Sequence, residues 1–210
     1  MIRLAFLRHG ETAWNRDGRI QGRADVPLSA AGRAALAGRR LPEPFRGAPA
    51  YCSPLRRAVE TAALLGIPAP RIEALLIEAD WGRYEGRTLA ALRREEGEAL
   101  ARAERLGLDF RPPGGESPRE IMARLSLWLG TLAAGAAGAG GAIDPTGAAQ
   151  GAAVAITHKG VIRTALALGY GWDMRGRPPV RLERSGLHVL TLAADGTLAP
   201  GCEILPLEET

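Results

Sequence analysis

Short apolar runs that stop at clusters of polar residues recur along this chain. Ile2 to Leu7 is such a run and ends at Arg8-His9-Gly10, the pattern of a buried strand closing on a turn. Ala50-Tyr51-Cys52 leads into Ser53-Pro54, Ile72 to Ile77 into Glu78-Ala79-Asp80-Trp81-Gly82, and Ala152 to Thr157 into His158-Lys159-Gly160. Helical patterns lie between these strands. Ser29 is placed to cap a helix through Leu36 to about Leu41, and Pro42-Glu43-Pro44 stops it. Ser53 as N-cap and Pro54 as first helical residue predict a second helix, with Leu55, Ala58, Val59 and Ala62 on its core face and Gly66 at its end. Thr88 to about Arg105 reads as helix, and Pro112-Pro113-Gly114-Gly115 cannot continue it. Ser117-Pro118-Arg119-Glu120 is a capping box opening a helix with an apolar stripe at Ile121, Leu125, Trp128, Leu129 and Leu132, and Val161 to Leu168 suits another. Leu187 to Leu192 and a stretch around Ile204 predict the last strands, with Asp195-Gly196 as the hairpin turn. This alternation argues for an α/β fold with a largely parallel sheet finished by an antiparallel element. Polar chemistry at strand exits then falls where ligand crevices form in open α/β sheets.

Composition narrows the picture. The 210 residues are 46% hydrophobic, enough for one domain over 1–210 with core on both faces of a sheet. From Gly135 to Gly151 the chain turns to low-complexity Gly and Ala, expected to form a flexible surface loop. The uncharged stretch Leu125 to Ile143 is too rich in these small residues to be a membrane span, which needs about 20 strongly apolar residues. Met1 to Leu7, interrupted by Arg3, does not resemble a targeting signal. Cys52 and Cys202 are the only cysteines, too few for a disulfide framework, and suit free thiols in a reducing cytoplasm. Of 27 basic residues Lys159 is the only lysine, and the arginines are mostly interleaved with acids, as in Arg93-Arg94-Glu95-Glu96. Aromatic residues are 5% of the chain and form no stripe with basic ones, so neither nucleic acid nor membrane is expected as a partner. The chain is expected to be a cytoplasmic monomer or homodimer.

The strand exits carry the parts that cleavage of a phosphate ester requires: a nucleophile, cations around the phosphoryl oxygens and an acid for the leaving oxygen. His9 can attack, Arg8 and an arginine of the Ser53 helix can hold oxygens, His158 can donate to them, and Glu78 can be the acid. Local helix geometry leaves Arg56 and Arg57 equally placed. His188, inside an alternating strand, reads as structural.

Taken together these residues resemble a known family. Leu7-Arg8-His9-Gly10-Glu11-Thr12, with Trp14-Asn15 and Gly18-Arg19-Ile20-Gln21-Gly22, is similar to the opening of the histidine phosphatase superfamily, which includes the cofactor-dependent phosphoglycerate mutases. Asp25-Val26-Pro27-Leu28-Ser29 with Gly32, Ser53-Pro54-Leu55-Arg56-Arg57-Ala58 with Thr61-Ala62, Glu78 with Gly82 and Glu85-Gly86, Gly114-Gly115-Glu116-Ser117, and His158 to Arg163 continue the likeness in order. It extends from about Ile2 to Leu168. The resemblance implies a three-layer α/β/α sandwich with a mostly parallel six-stranded sheet and one antiparallel strand. It implies a catalytic set of His9, Glu78, Arg8, Arg57 and His158, choosing Arg57 over Arg56, and places Asn15, Gln21 and Gly22 near the substrate. It also suggests a backbone carbonyl near Gly10 as acceptor for the second ring nitrogen of His9.

The expected activity is that of a phosphomonoesterase of the histidine acid type, acting on a small phosphorylated metabolite through a phosphohistidine on His9. Cations of Arg8 and Arg57 would favour the neutral, nucleophilic imidazole. Glu78 would protonate the leaving alkoxide and then take a proton from the attacking water. Arginine and histidine supply the charge that magnesium supplies elsewhere, so the scheme needs no metal or cofactor. One alternative is a phosphoglycerate mutase using the same residues; an alternative of another class is a non-catalytic protein that binds a phosphorylated ligand.

Overall fold

The computed structural model describes residues 1–138 and 151–210. Its main sheet contains strands β1 (Ile2–Arg8), β3 (Ala50–Cys52), β4 (Arg71–Ile72), β5 (Ala152–Thr157), β6 (Gly186–Leu192) and β7 (Glu203–Pro206), in the order β4-β3-β5-β1-β6-β7. β1, β3, β4 and β5 are mutually parallel; β6 runs antiparallel to both β1 and β7, so it alone is reversed. A two-stranded ladder joins β2 (Arg39–Arg40) to β8 (Glu208–Glu209). The helices are α1 (Ala13–Arg16), α2 (Ala30–Leu36), α3 (Arg56–Leu64), α4 (Leu89–Glu96), α5 (Glu98–Glu104), α6 (Pro118–Gly138) and α7 (Lys159–Tyr170).

The alternation of side chains along the strands builds two cores. Ile2, Leu4 and Phe6 of β1 pack with Leu125, Trp128 and Leu129 of α6 and Ile162 and Leu166 of α7. Ala5 and Leu7, facing the other way, join Leu36 of α2 and Ala58 and Ala62 of α3. Each large apolar side chain so enclosed contributes about 1.5–3 kcal/mol. Helices on both faces of a mostly parallel sheet make the three-layer sandwich that the motif resemblance implies.

Several local expectations are corrected. The strand expected from Ile72 to Ile77 ends at Ile72, because the Glu73 carboxylate accepts from Leu75 N–H at 2.9 Å and turns Ala74–Leu76 into a 3₁₀ turn. The helix expected over Thr88 to Arg105 is two helices, divided at Gly97 with φ 50°. The helix capped by Ser29 stops at Leu36 rather than near Leu41, since Arg39 and Arg40 pair with Glu209 and Glu208. Ser53 does not cap α3: the N-cap is Leu55, and Arg56 N–H is accepted by the distant Asp25 carboxylate at 2.7 Å. The Gly/Ala segment expected to be loop from 135 is helical to Gly138; the remainder, 139–150, lies outside the described residues. No helix among the described residues is long and apolar enough to cross a membrane.

Candidate active site

Register delivers the first two side chains. β1 and β5 are paired with Arg8 beside Thr157, and His9 N–H continues the ladder onto Thr157 O at 3.0 Å. The next residue on each strand is a histidine, and the rings of His9 and His158 lie 5.1 Å apart between centroids. β3, on the far side of β5, exits into Ser53, whose Oγ is 2.7 Å from His158 Nε2. The 3₁₀ turn that leads to Glu78 is tied to the same edge by Thr157 Oγ1 donating to Leu76 O at 2.7 Å.

A hydrogen bond assigns the His9 tautomer. His9 Nδ1 lies 2.7 Å from Gly10 O, an acceptor only, so Nδ1 carries the proton and Nε2 keeps its lone pair. Ser53 Oγ accepts from Leu55 N–H at 3.4 Å and lies 2.7 Å from His158 Nε2; where Ser53 donates to Nε2, the His158 proton sits on Nδ1. The carbonyl suggested for His9 is thus that of Gly10. Burial first, then the charges of Arg57 and Arg8, hold the His9 imidazole well below the ordinary histidine range, while the Gly10 carbonyl opposes them. The two arginines act in the expected direction, but burial is the larger cause.

Arg57 is fully buried and Arg56 is exposed, the latter paired with Glu60 at 2.6 Å. The Arg57 guanidinium donates to Gly22 O and Ala24 O, both at 2.7 Å. These carbonyls are held in turn by Glu85, whose carboxylate accepts from Arg23 N–H at 2.7 Å and Ala24 N–H at 3.0 Å. Gly22, at φ 52°, is needed at this crossing, because a Cβ there would meet Glu85 Oε1 at 1.9 Å. Thr61 Oγ1 completes the support, donating to Arg57 O at 2.7 Å and accepting from Gly10 N–H at 2.9 Å.

Glu78 is 9% exposed, and its carboxylate accepts from Ala79 N–H at 2.9 Å and Gly160 N–H at 3.2 Å. Gly160 permits that approach: a Cβ there would lie 2.3 Å from Glu78 Oε1. Glu116 braces the loop, accepting from Asp80 N–H at 3.4 Å and pairing with Arg23 and Arg124.

Arg8, His9 and Glu78 line a cavity of about 780 Å³ whose walls include Asn15, Gln21, Gly22, Trp81, Tyr84 and, from α4 and α5, Leu92, Arg93 and Leu100. The expected site residues that line it directly are therefore Arg8, His9, Glu78, Asn15, Gln21 and Gly22, with Arg57 and His158 buried beside His9. Gln21 accepts from Thr12 Oγ1 at 2.8 Å through its carbonyl oxygen, and Asn15 forms a capping box with Thr12. Three buried donors around His9 have no protein partner among the described residues: Arg8 Nε, Arg57 Nε and His158 Nδ1. Such donors suit a multiply charged oxyanion. A second cavity of about 330 Å³, lined by Phe45, Leu65 and Arg71 among others, holds none of these residues. Lys159, Arg163 and Arg184 also line the larger cavity, although no local pattern singles them out as site residues. For Lys159 the available signal is its status as the only lysine.

All three histidines of the chain are buried and held below the ordinary value, in each case by burial first. Above the unfolded value of about 6.5 both states are neutral. Below it the unfolded chain binds protons that the folded chain refuses, so stability falls as pH drops through that value. The expected slope approaches about 4 kcal/mol per pH unit if all three stay neutral, about 1.4 for each. Urea unfolding at pH 7 and pH 5.5 measures it, and equal stabilities would contradict this account.

The histidine phosphatase superfamily (branch 1) profile matches residues 4–199. An acid phosphatase of Mycobacterium tuberculosis is 45% identical over 97 residues, covering 45% of this chain and 48% of that protein. A 2,3-bisphosphoglycerate-dependent phosphoglycerate mutase of Gloeobacter violaceus is 35% identical over 59% of this chain and 60% of its own length. These matched stretches amount to about half the length of such curated relatives. Among solved structures, a mycobacterial glucosyl-3-phosphoglycerate phosphatase in complex with VO3 superposes with a TM-score of 0.76 at 25% identity, covering 99% of this chain and 100% of that one.

Proposed function

We propose, from the premise that this chain belongs to the histidine phosphatase superfamily, that it is a metal-independent phosphomonoesterase working through a phosphohistidine on His9. The three unpartnered donors, Arg8 Nε, Arg57 Nε and His158 Nδ1, beside a histidine whose Nε2 is free to attack, carry this reading. In this reading they meet the non-bridging phosphoryl oxygens and stabilise the charge that shifts onto them in the transition state.

In the first half-reaction His9 Nε2 forms a bond to phosphorus as the bond to the ester oxygen breaks, and protonated Glu78 gives its proton to the departing alkoxide. In the second, water attacks the phosphohistidine, Glu78 accepts its proton, and phosphate leaves His9 as the neutral imidazole. One carboxyl group thus serves as acid and then base. The paired backbone donors from Ala79 and Gly160 keep it aimed in both steps.

The relatives include both a phosphatase and a mutase by name, and a mutase differs only in returning the phosphoryl group to a second substrate hydroxyl. The deciding experiment is a phosphatase screen over phosphorylated metabolites in the presence of EDTA, with phosphoglycerate interconversion followed with and without a bisphosphoglycerate primer. Release of inorganic phosphate unaffected by EDTA is the expected result. Loss of activity with EDTA would overturn the metal-independent scheme, and efficient primed isomerisation without net hydrolysis would make the protein a mutase.

A further inference from the structure

In the phosphomonoesterase reading Arg57 and Glu78 act on opposite sides of the breaking bond, yet they reach the site from separate parts of the chain, α3 and the segment after the 3₁₀ turn Ala74–Leu76. One carboxylate joins their supports. Glu85 Oε1 accepts from Arg23 N–H at 2.7 Å and from Trp81 N–H at 3.2 Å, and its Oε2 accepts from Ala24 N–H at 3.0 Å. Arg23 and Ala24 form the turn that receives Arg57, whereas Trp81 lies in the segment that follows Glu78. Arg23 fastens the same joint from its other end, with Nε donating to Glu78 O at 3.4 Å and Nη2 donating to Glu116 at 3.2 Å.

The aim of Arg57 depends on this turn. Its Nη1 and Nη2 donate to Ala24 O and Gly22 O, so Nε is the buried donor left for a ligand, and a shift of those carbonyls moves it. Burial works against the charged guanidinium, and the carboxylates of Glu78, Asp25 and Glu85 work for it. Ala24 N–H also reaches Gln21 O at 3.1 Å, but the N–H groups of Arg23 and Trp81 have no acceptor other than Glu85 among the described residues. Glu85 is itself held in place. It ends the 3₁₀ turn Gly82–Tyr84, and just beyond it Gly86 N–H donates to Ile20 O and Ile20 N–H to Arg87 O, both at 2.8 Å.

We propose that Glu85 is a positioning residue that fixes the Arg57 guanidinium and the Glu78 carboxyl relative to each other, acting through the backbone of Arg23, Ala24 and Trp81 rather than on the substrate. Its effect on proton donation rests on the phosphomonoesterase reading above; its hold on Arg57 does not.

Glu85→Gln keeps the shape but turns an NH₂ group toward N–H donors, and urea unfolding establishes that the variant is folded under the assay conditions. Calorimetric binding of inorganic phosphate to His9→Ala and to His9→Ala/Glu85→Gln reads the Arg57 side without turnover, and the second substitution is expected to weaken binding about tenfold. With His9 in place, kcat/KM should fall about tenfold for p-nitrophenyl phosphate and about a hundredfold for glycerol 3-phosphate, because only the alkoxide leaving group needs a well-placed Glu78 proton. A purely structural part for Glu85 would lower stability alone. Unchanged phosphate affinity in the folded variant, or equal losses for the two esters, would therefore overturn the assignment. Should the glutamine variant not fold, Glu85→Asp, which keeps the charge but is one methylene shorter, is judged by the same two measurements. If the unaltered protein hydrolyses neither ester and phosphate affinity still falls with Glu85→Gln, Glu85 keeps its role at Arg57 and the phosphatase reading fails.

Discussion

Replacing His9 with alanine is expected to lower kcat for phosphate-ester hydrolysis by at least about four orders of magnitude. Only His9 joins burial, a proton fixed on Nδ1 by Gly10 O, and a free Nε2 in the cavity. His158 cannot replace it, because its Nε2 is bound to Ser53 Oγ and the residue does not line the cavity. Arg8, Arg57 and His158 remain in the variant, so phosphate binding should survive in part while turnover does not. Rapid-quench experiments with a labelled ester should trap an acid-labile phosphoprotein with the unaltered chain and none with His9→Ala. Normal hydrolysis by the variant would remove His9 from the nucleophile role.

Glu78→Gln should give the second large loss, and its size should depend on the leaving group. An alkyl phosphate needs a proton on its departing oxygen, so kcat/KM for such esters should fall by about 10²–10⁴. p-Nitrophenyl phosphate releases a stable phenolate, so formation of the phosphohistidine should be much less affected and a burst should appear. Glutamine retains the shape but offers one acceptor where Glu78 receives two backbone N–H groups, so some misalignment adds to both losses. Equal losses for the two classes of ester would assign Glu78 a purely structural part.

Much of the fold was legible in one dimension. β1, β3, β5 and β6 appear within a residue of the bounds their apolar runs suggest, because strands buried on both faces need continuous hydrophobic sequence. The capping box at Ser117 is present, with Glu120 accepting from Ser117 N–H at 2.8 Å. Local readings failed where a side chain answered to a distant partner. Ser53 reads as a helix cap but holds His158, 105 positions away in sequence. Asp25 supplies the missing acceptor at the start of α3, and Glu208 and Glu209 draw Arg39 and Arg40 out of a helix. The Ile72 to Ile77 run looked like a strand because apolar periodicity over six residues does not register that Glu73 caps a turn.

For the site, the sequence by itself determined which chemistry the chain carries. A histidine, arginines and a second histidine follow strand exits, with an acid beyond the turn after β4, and parallel strands bring such exits to one edge of a sheet. Only the tertiary structure decided what state each group is in and what surrounds it. The choice of Nε2 on His9 depends on one carbonyl, and its neutrality depends first on burial, a property of packing that no local pattern contains. The same is true of Arg57, enclosed while Arg56 stands in solvent, and of Arg184, which reaches the cavity because β6 pairs antiparallel to β1 and carries its preceding loop to the edge where His9 lies. Sequence specifies residue types and their order along each element. Which distant residues share a pocket, and therefore a charge state, is set by strand order and register.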